Sequence, residues 1–167
     1  DSPVFKIYPG FTVFAPNSNS DKWPVSQVRQ IRWNCTSVNV PLVKIQYSTN
    51  GGSTYTYTIA TNITNAGSAH AERTPYDWIV NDTITSQFMV RIQDMNRTFA
   101  YDESDGYAKI MGYYNMTTPA NGSIFTVGSP LPITWEHQGN VTNVKLEYSK
   151  DDFNASKPIY SINDSTA

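Results

Sequence analysis

The chain has a single cysteine, Cys35, in 167 residues. That excludes a disulfide within the chain. Ile31, Trp33 and Cys35 alternate with Arg32 and Asn34, which places the thiol on an apolar, buried face. An intermolecular disulfide or a reactive thiol is the alternative. Charge is also scarce: Asp, Glu, Lys and Arg make up 16% of the residues and the net charge is −2. No basic footprint for nucleic acid exists. The only histidines, His70 and His137, have no partner at metal-ligand or triad spacing. No phosphate-cradling glycine loop, nucleophile elbow or His-Glu-x-x-His occurs. Motifs do not exclude a paired-carboxylate glycosidase, but a small protein of short strands offers little room for a catalytic cleft. The expectation is a protein that is not an enzyme and holds no cofactor. No run approaches the roughly 18 apolar residues of a membrane span. No signal peptide is visible, so a secreted chain either starts here after processing or continues beyond this window.

Acceptor sites for N-linked sugar, by contrast, are abundant. Nine Asn-x-Ser/Thr sequons begin at Asn34, Asn62, Asn81, Asn96, Asn115, Asn121, Asn140, Asn154 and Asn163, none with proline in the middle. With 15 asparagines and 34 serines plus threonines, random placement gives about three. The excess points to an extracellular or cell-surface chain carrying covalent N-glycans.

Segments also recur about a hundred residues apart. Trp23–Trp33 matches Phe125–Trp135, Val43–Ser48 matches Val144–Ser149, Phe5–Ile7 matches Ala108–Ile110, and Pro16 matches Pro119. That period suits an immunoglobulin-like sandwich. It divides the chain into residues 1–8, the exit strand of a preceding domain or a donor strand; residues 9–112, a complete domain; and residues 113–167, the first half of another. Period-two alternation predicts strands over 11–15, 25–35, 42–48, 54–61, 76–80, 87–94 and 106–111, with a hairpin turn at Asn50-Gly51-Gly52-Ser53. The expected fold is all-β, an antiparallel sandwich in tandem with an incomplete second repeat. Inward sets are Ile31/Trp33/Cys35, Val43/Ile45/Tyr47, Tyr55/Tyr57/Ile59, Trp78/Val80 and Phe88/Val90/Ile92. Asn34, Asn62 and Asn81 fall on the outward parity, as sugar-bearing residues must.

These residues carry a resemblance. Pro16-Asn17, Ile31-Arg32-Trp33, Ser48 with Asn50-Gly51-Gly52-Ser53, Asn65-Ala66-Gly67, Val90-Arg91-Ile92 with Asp94, and Ser104-Asp105-Gly106 occur in order. The pattern resembles the immunoglobulin-like repeat found in tandem in many microbial surface and secreted proteins. It is also similar to the sandwich domain at the start of Ser/Thr-rich yeast cell-wall proteins implicated in β-1,6-glucan assembly. The resemblance covers 9–112 well and 113–149 in part. Its shared residues are turns and core positions, so it implies a fold more than a function. Two departures stand out: Pro16-Asn17-Ser18-Asn19 replaces the family's Pro-Asn-Gly-Gly, and Lys150-Asp151-Asp152-Phe153 replaces the Gly-Gly turn.

Two further clusters are candidate sites. Asp102, Glu103 and Asp105 supply oxygens of the kind calcium uses between extracellular domains, although Asp105-Gly106 is also ordinary turn chemistry. Tyr101, Tyr107, Tyr113 and Tyr114 could stack on sugar rings or pack at a domain joint. The expected function is a heavily N-glycosylated structural subunit of an extracellular filament, stalk or surface coat, assembled head to tail. Its partners would be copies of itself or neighbouring repeats. The alternatives are a module for cell-wall polysaccharide binding, assembly or adhesion, and an accessory domain of a larger secreted enzyme.

Overall fold

A computed structural model describes residues 7–154 and 157–166. Residues 1–6, most of the expected exit or donor strand, lie outside that range. The described residues form thirteen strands and no helix. β1 (Phe11–Ala15), β3 (Val28–Cys35) and β6 (Tyr76–Ile79) make one sheet in the order β1-β3-β6. A larger sheet has the order β2-β9-β7-β4-β5. It contains β2 (Lys22–Pro24), β4 (Leu42–Ser48), β5 (Tyr57–Thr64), β7 (Thr85–Asp94) and β9 (Ala108–Met111), and β8 (Tyr101–Glu103) also pairs with β7. All these pairings are antiparallel except β2 with β9, which is parallel.

Both sheets turn one face onto the same core. Ile31, Trp33 and Cys35 from β3, Val43, Ile45 and Tyr47 from β4, and Phe88, Val90 and Ile92 from β7 are all fully enclosed. Alternation therefore identified these three strands correctly, because each lies inside a sheet with one buried face. Trp78 of the smaller sheet bridges the layers, with its ring centroid 5.9 Å from Trp23, 5.3 Å from Tyr47 and 5.6 Å from Phe88, all in the larger one. Each large apolar side chain enclosed this way contributes about 1.5–3 kcal/mol relative to exposure.

The strand limits differ from expectation where the backbone leaves the pleat. The strand expected over 25–35 begins only at Val28, because Ser26 takes φ +64° in the turn between β2 and β3. Tyr57 is 43% exposed although the alternation places it inward. It opens β5, whose pairing with β4 shifts register twice, so parity is lost along it. Inside the sandwich sits a polar node that apolar periodicity does not report. The Asn65 amide accepts from the Trp33 indole at 2.9 Å and donates to the Val40 carbonyl at 2.9 Å. Arg73, 2% exposed, donates to that same amide oxygen and to the carbonyls of Cys35, Ser37, Ser68 and Ala71. A buried guanidinium is tolerable only when its donors are met, and here neutral oxygens meet them. Gly67 at φ +151° lets the chain pass, since a Cβ there would lie 2.5 Å from the Arg73 guanidinium.

Residues 113–166 repeat part of this geometry. β10 (Tyr113–Thr118) pairs with β11 (Thr134–Gln138), and β12 (Val144–Tyr148) pairs with β13 (Tyr160–Thr166). Met116 faces Trp135 as Val13 faces Trp33, and Tyr148 faces Tyr160 as Tyr47 faces Tyr57. The last two pairs both stack, at 4.7 Å in the first case and 5.0 Å in the second. The hairpin turns also correspond. Ser48 Oγ accepts the amides of Asn50 and Gly52, and Ser149 Oγ accepts those of Asp151 and Phe153. Asp152 and Phe153 adopt φ near +57° and +55°, where Gly51 and Gly52 stand at +65° and +80°. The Lys150–Phe153 departure thus retains the turn geometry with residues that strain to adopt it.

Candidate functional site

The sequons are spread over the surface of both parts. Asn62 in β5, Asn81 after β6, Asn96 in the β7–β8 turn, Asn115 in β10, and Asn121, Asn140 and Asn154 in loops are all exposed. Asn34 keeps the outward parity, between the enclosed Trp33 and Cys35, but is less exposed than the others. It is half-buried in β3, its Oδ1 is enclosed without a hydrogen-bond partner, and its backbone bridges to Glu72. The segment at Glu72 and Arg73 runs beside β3 there, with the Arg73 amide donating to the Trp33 carbonyl at 2.9 Å. The side chain of Asn163 lies outside the described residues.

The acidic run does not converge. Asp102 Oδ2 accepts the Val13 amide at 2.8 Å, tying β8 to β1 across the two sheets. Burial pushes its carboxyl above the usual carboxylate range, against the pull of that amide. Glu103 points the other way and forms an ion pair with Arg91. Asp105 accepts from the Asn17 amide at 2.9 Å, beyond the end of the strand. Strand alternation sends neighbours in sequence to opposite faces. Among the described residues no group of three or more His, Cys, Asp and Glu converges as a metal site.

The tyrosines are also dispersed. Arg91 lies 3.9 Å from the Tyr55 ring centroid and 4.6 Å from that of Tyr101, so Tyr101 is engaged by a cation rather than left bare. Burial, then the negative charge of Glu103, pushes the Tyr55 hydroxyl well above its ordinary ionisation range. The Tyr107 ring covers the Gly51 turn, within 3.3 Å of where a Cβ would stand. Tyr113 and Tyr114 are exposed on β10, and Tyr114 lies 6.4 Å from the His137 ring. His70 is an exposed turn residue at φ +61°. Cys35 is a buried thiol donating to the Ser37 carbonyl at 3.4 Å.

One contact that the sequence motifs did not reveal joins the two parts. Only Gly112 separates β9 from β10. The Asn140 amide donates to Asp82 Oδ1 at 3.0 Å, Ile84 lies against Gly139, and a side chain at Gly112 would meet Val141 at 2.7 Å. Beyond this joint, the facing strand pairs of the second part leave two apolar clefts of about 320 and 370 Å³. Trp135, Met116 and Leu146 line the first, and Met116, Leu131, Ile133, Leu146 and Ile162 are among those lining the second. The equivalent positions in the first part are filled by core side chains. Among the described residues no helix is long and apolar enough to cross a membrane. Comparison with known proteins adds no relative to this picture: no family model, curated protein or solved structure matches the chain.

Proposed function

We propose that the chain is a heavily N-glycosylated structural module of an extracellular filament, stalk or surface coat, built from immunoglobulin-like repeats in tandem. The observation that carries this reading is the exposure of seven sequon asparagines distributed over both parts. A ligand-binding protein would leave one face free of acceptors. Here acceptors occupy β5, the end of β6, the β7–β8 turn, β10 and the loops of the second part.

The repeat reading is supported by the shared strand registers, the matched tyrosine stacks and the matched Ser48 and Ser149 turns. The order β1-β3-β6 against β2-β9-β7-β4-β5 is also the arrangement expected of an immunoglobulin-like sandwich. On this reading the apolar clefts are unfilled core positions of a repeat, not ligand pockets. The one-residue joint favours an extended, stiff assembly. Intact-mass measurement before and after enzymatic deglycosylation tests the coat. The expected native mass lies well above the 18.7 kDa of the polypeptide, and a native mass equal to it would overturn the reading.

A further inference from the structure

Each outer edge of a sheet offers unpaired amides and carbonyls to any other strand, and proteins guard such edges. Three of the four edges in the first part are guarded by ordinary means. β2 is three residues long and contains Lys22 and Pro24. β6 is four residues long, follows Pro75 and carries Asp77. β1 is followed directly by Pro16, and its Val13 amide is taken by Asp102.

β5 is different. It is eight residues long, Tyr-Thr-Ile-Ala-Thr-Asn-Ile-Thr, and lies at the end of the larger sheet with no described strand beyond it. It holds no proline and no charge. Indeed no Asp, Glu, Lys or Arg occurs anywhere between Lys44 and Glu72. β-Branched and aromatic residues dominate it, the composition most prone to intermolecular strand pairing. Its register shifts against β4 twist it but leave it long, and its other distinctive device is Asn62, exposed, at φ +56°, and the first residue of the sequon Asn62-Ile63-Thr64.

We infer that an N-glycan on Asn62 is the guard of the β5 edge, and that without it this edge pairs with β5 of a second copy of the chain. The inference rests on the glycan-coat reading above. A branched sugar is bulky, hydrated and covalently fixed. On an edge strand it sterically blocks the approach of a second backbone, as charge does elsewhere. The partner is a second copy because β5 carries no like charge to repel itself in antiparallel pairing, and its β-branched and aromatic side chains pair well with their own kind.

The test compares the glycosylated protein with Thr64→Ala, which removes the sequon but keeps Asn62 in its left-handed backbone. Glycopeptide mapping reads occupancy, sedimentation over a concentration series reads assembly, and thermal melting reads folding. Thr64→Ser, which preserves the sequon, and Asn96→Gln, which removes one sugar from a turn, are the controls. The expected result is an occupied Asn62, and concentration-dependent β-rich assembly for Thr64→Ala alone. Adding Thr61→Lys to that variant should restore the monomer, because a charge takes over the guard. An occupied Asn62 whose loss leaves the protein as monomeric as before overturns the inference and spares the coat. An unoccupied Asn62 in a protein otherwise sugar-coated overturns the inference; a protein with no sugar at any sequon overturns both. Should Thr64→Ala fail to fold, enzymatic removal of sugar from the folded native protein reads the same outcome.

Discussion

Asp102 shows how one side chain can hold two sheets together at a cost. Its carboxylate accepts the Val13 amide, yet burial raises its affinity for a proton. In the window above the ordinary carboxylate range, the folded state holds this proton more tightly than the unfolded state. Stability from this group is therefore full at low pH and is lost as pH rises through the raised value. Asp102→Asn keeps an oxygen for Val13 and removes the titration. The variant should melt at or above the wild-type temperature at pH 7, and the two should converge on acidification towards pH ~3. An asparagine variant that melts clearly lower at pH 7 would show that the charged bond outweighs the desolvation. The same residue marks where sequence reading stops. Three carboxylates within four positions suggest a cation site, but a strand splits them between two faces and a turn. Arg73 and Asn65 were equally hidden, because apolar periodicity says nothing of a polar group whose partners are distant carbonyls.

Among the elements, the β4–β5 and β12–β13 hairpins form an internal control on turn chemistry. Gly51 and Gly52 are required twice over. Both have positive φ, and a Cβ on Gly52 would come 3.2 Å from the Met89 sulfur and 3.3 Å from the Tyr55 hydroxyl. Gly52→Ala should destabilise the fold by about 1–3 kcal/mol. Phe153→Gly, at the matching position of the other turn, should be neutral or stabilising, since it only relieves a left-handed residue. Urea unfolding of the two variants decides the matter; equal effects of like sign would mean that the turns are not equivalent. Central strands were legible because alternation survives where a neighbour holds an unbroken register, as β7 does along Val43, Ile45 and Tyr47. The edge strand β5 was misplaced by three residues because its bulges and the kink at Asn62 break that alternation. β2 and β8, three residues each, are too short to show a period at all.

For the molecule as a whole, the parallel pairing of β2 with β9 has a mechanical meaning. Lys22, Trp23 and Pro24 lie beside Lys109, Ile110 and Met111, and bonds from Val25 to Met111 and from Lys109 to Asp21 close the two ends. Traction on the polypeptide enters ahead of β1 and leaves through Gly112. Because β2 and β9 run the same way, these opposed pulls slide the two strands past each other rather than unzipping them. All the bonds of the clamp bear the load together, and none can break singly. Single-molecule stretching should accordingly show abrupt rupture of the first part at high force. A slow, low-force peeling trace would contradict that geometry. A module whose second and last strands grip each other in this sense resists tension along the axis that joins its two ends.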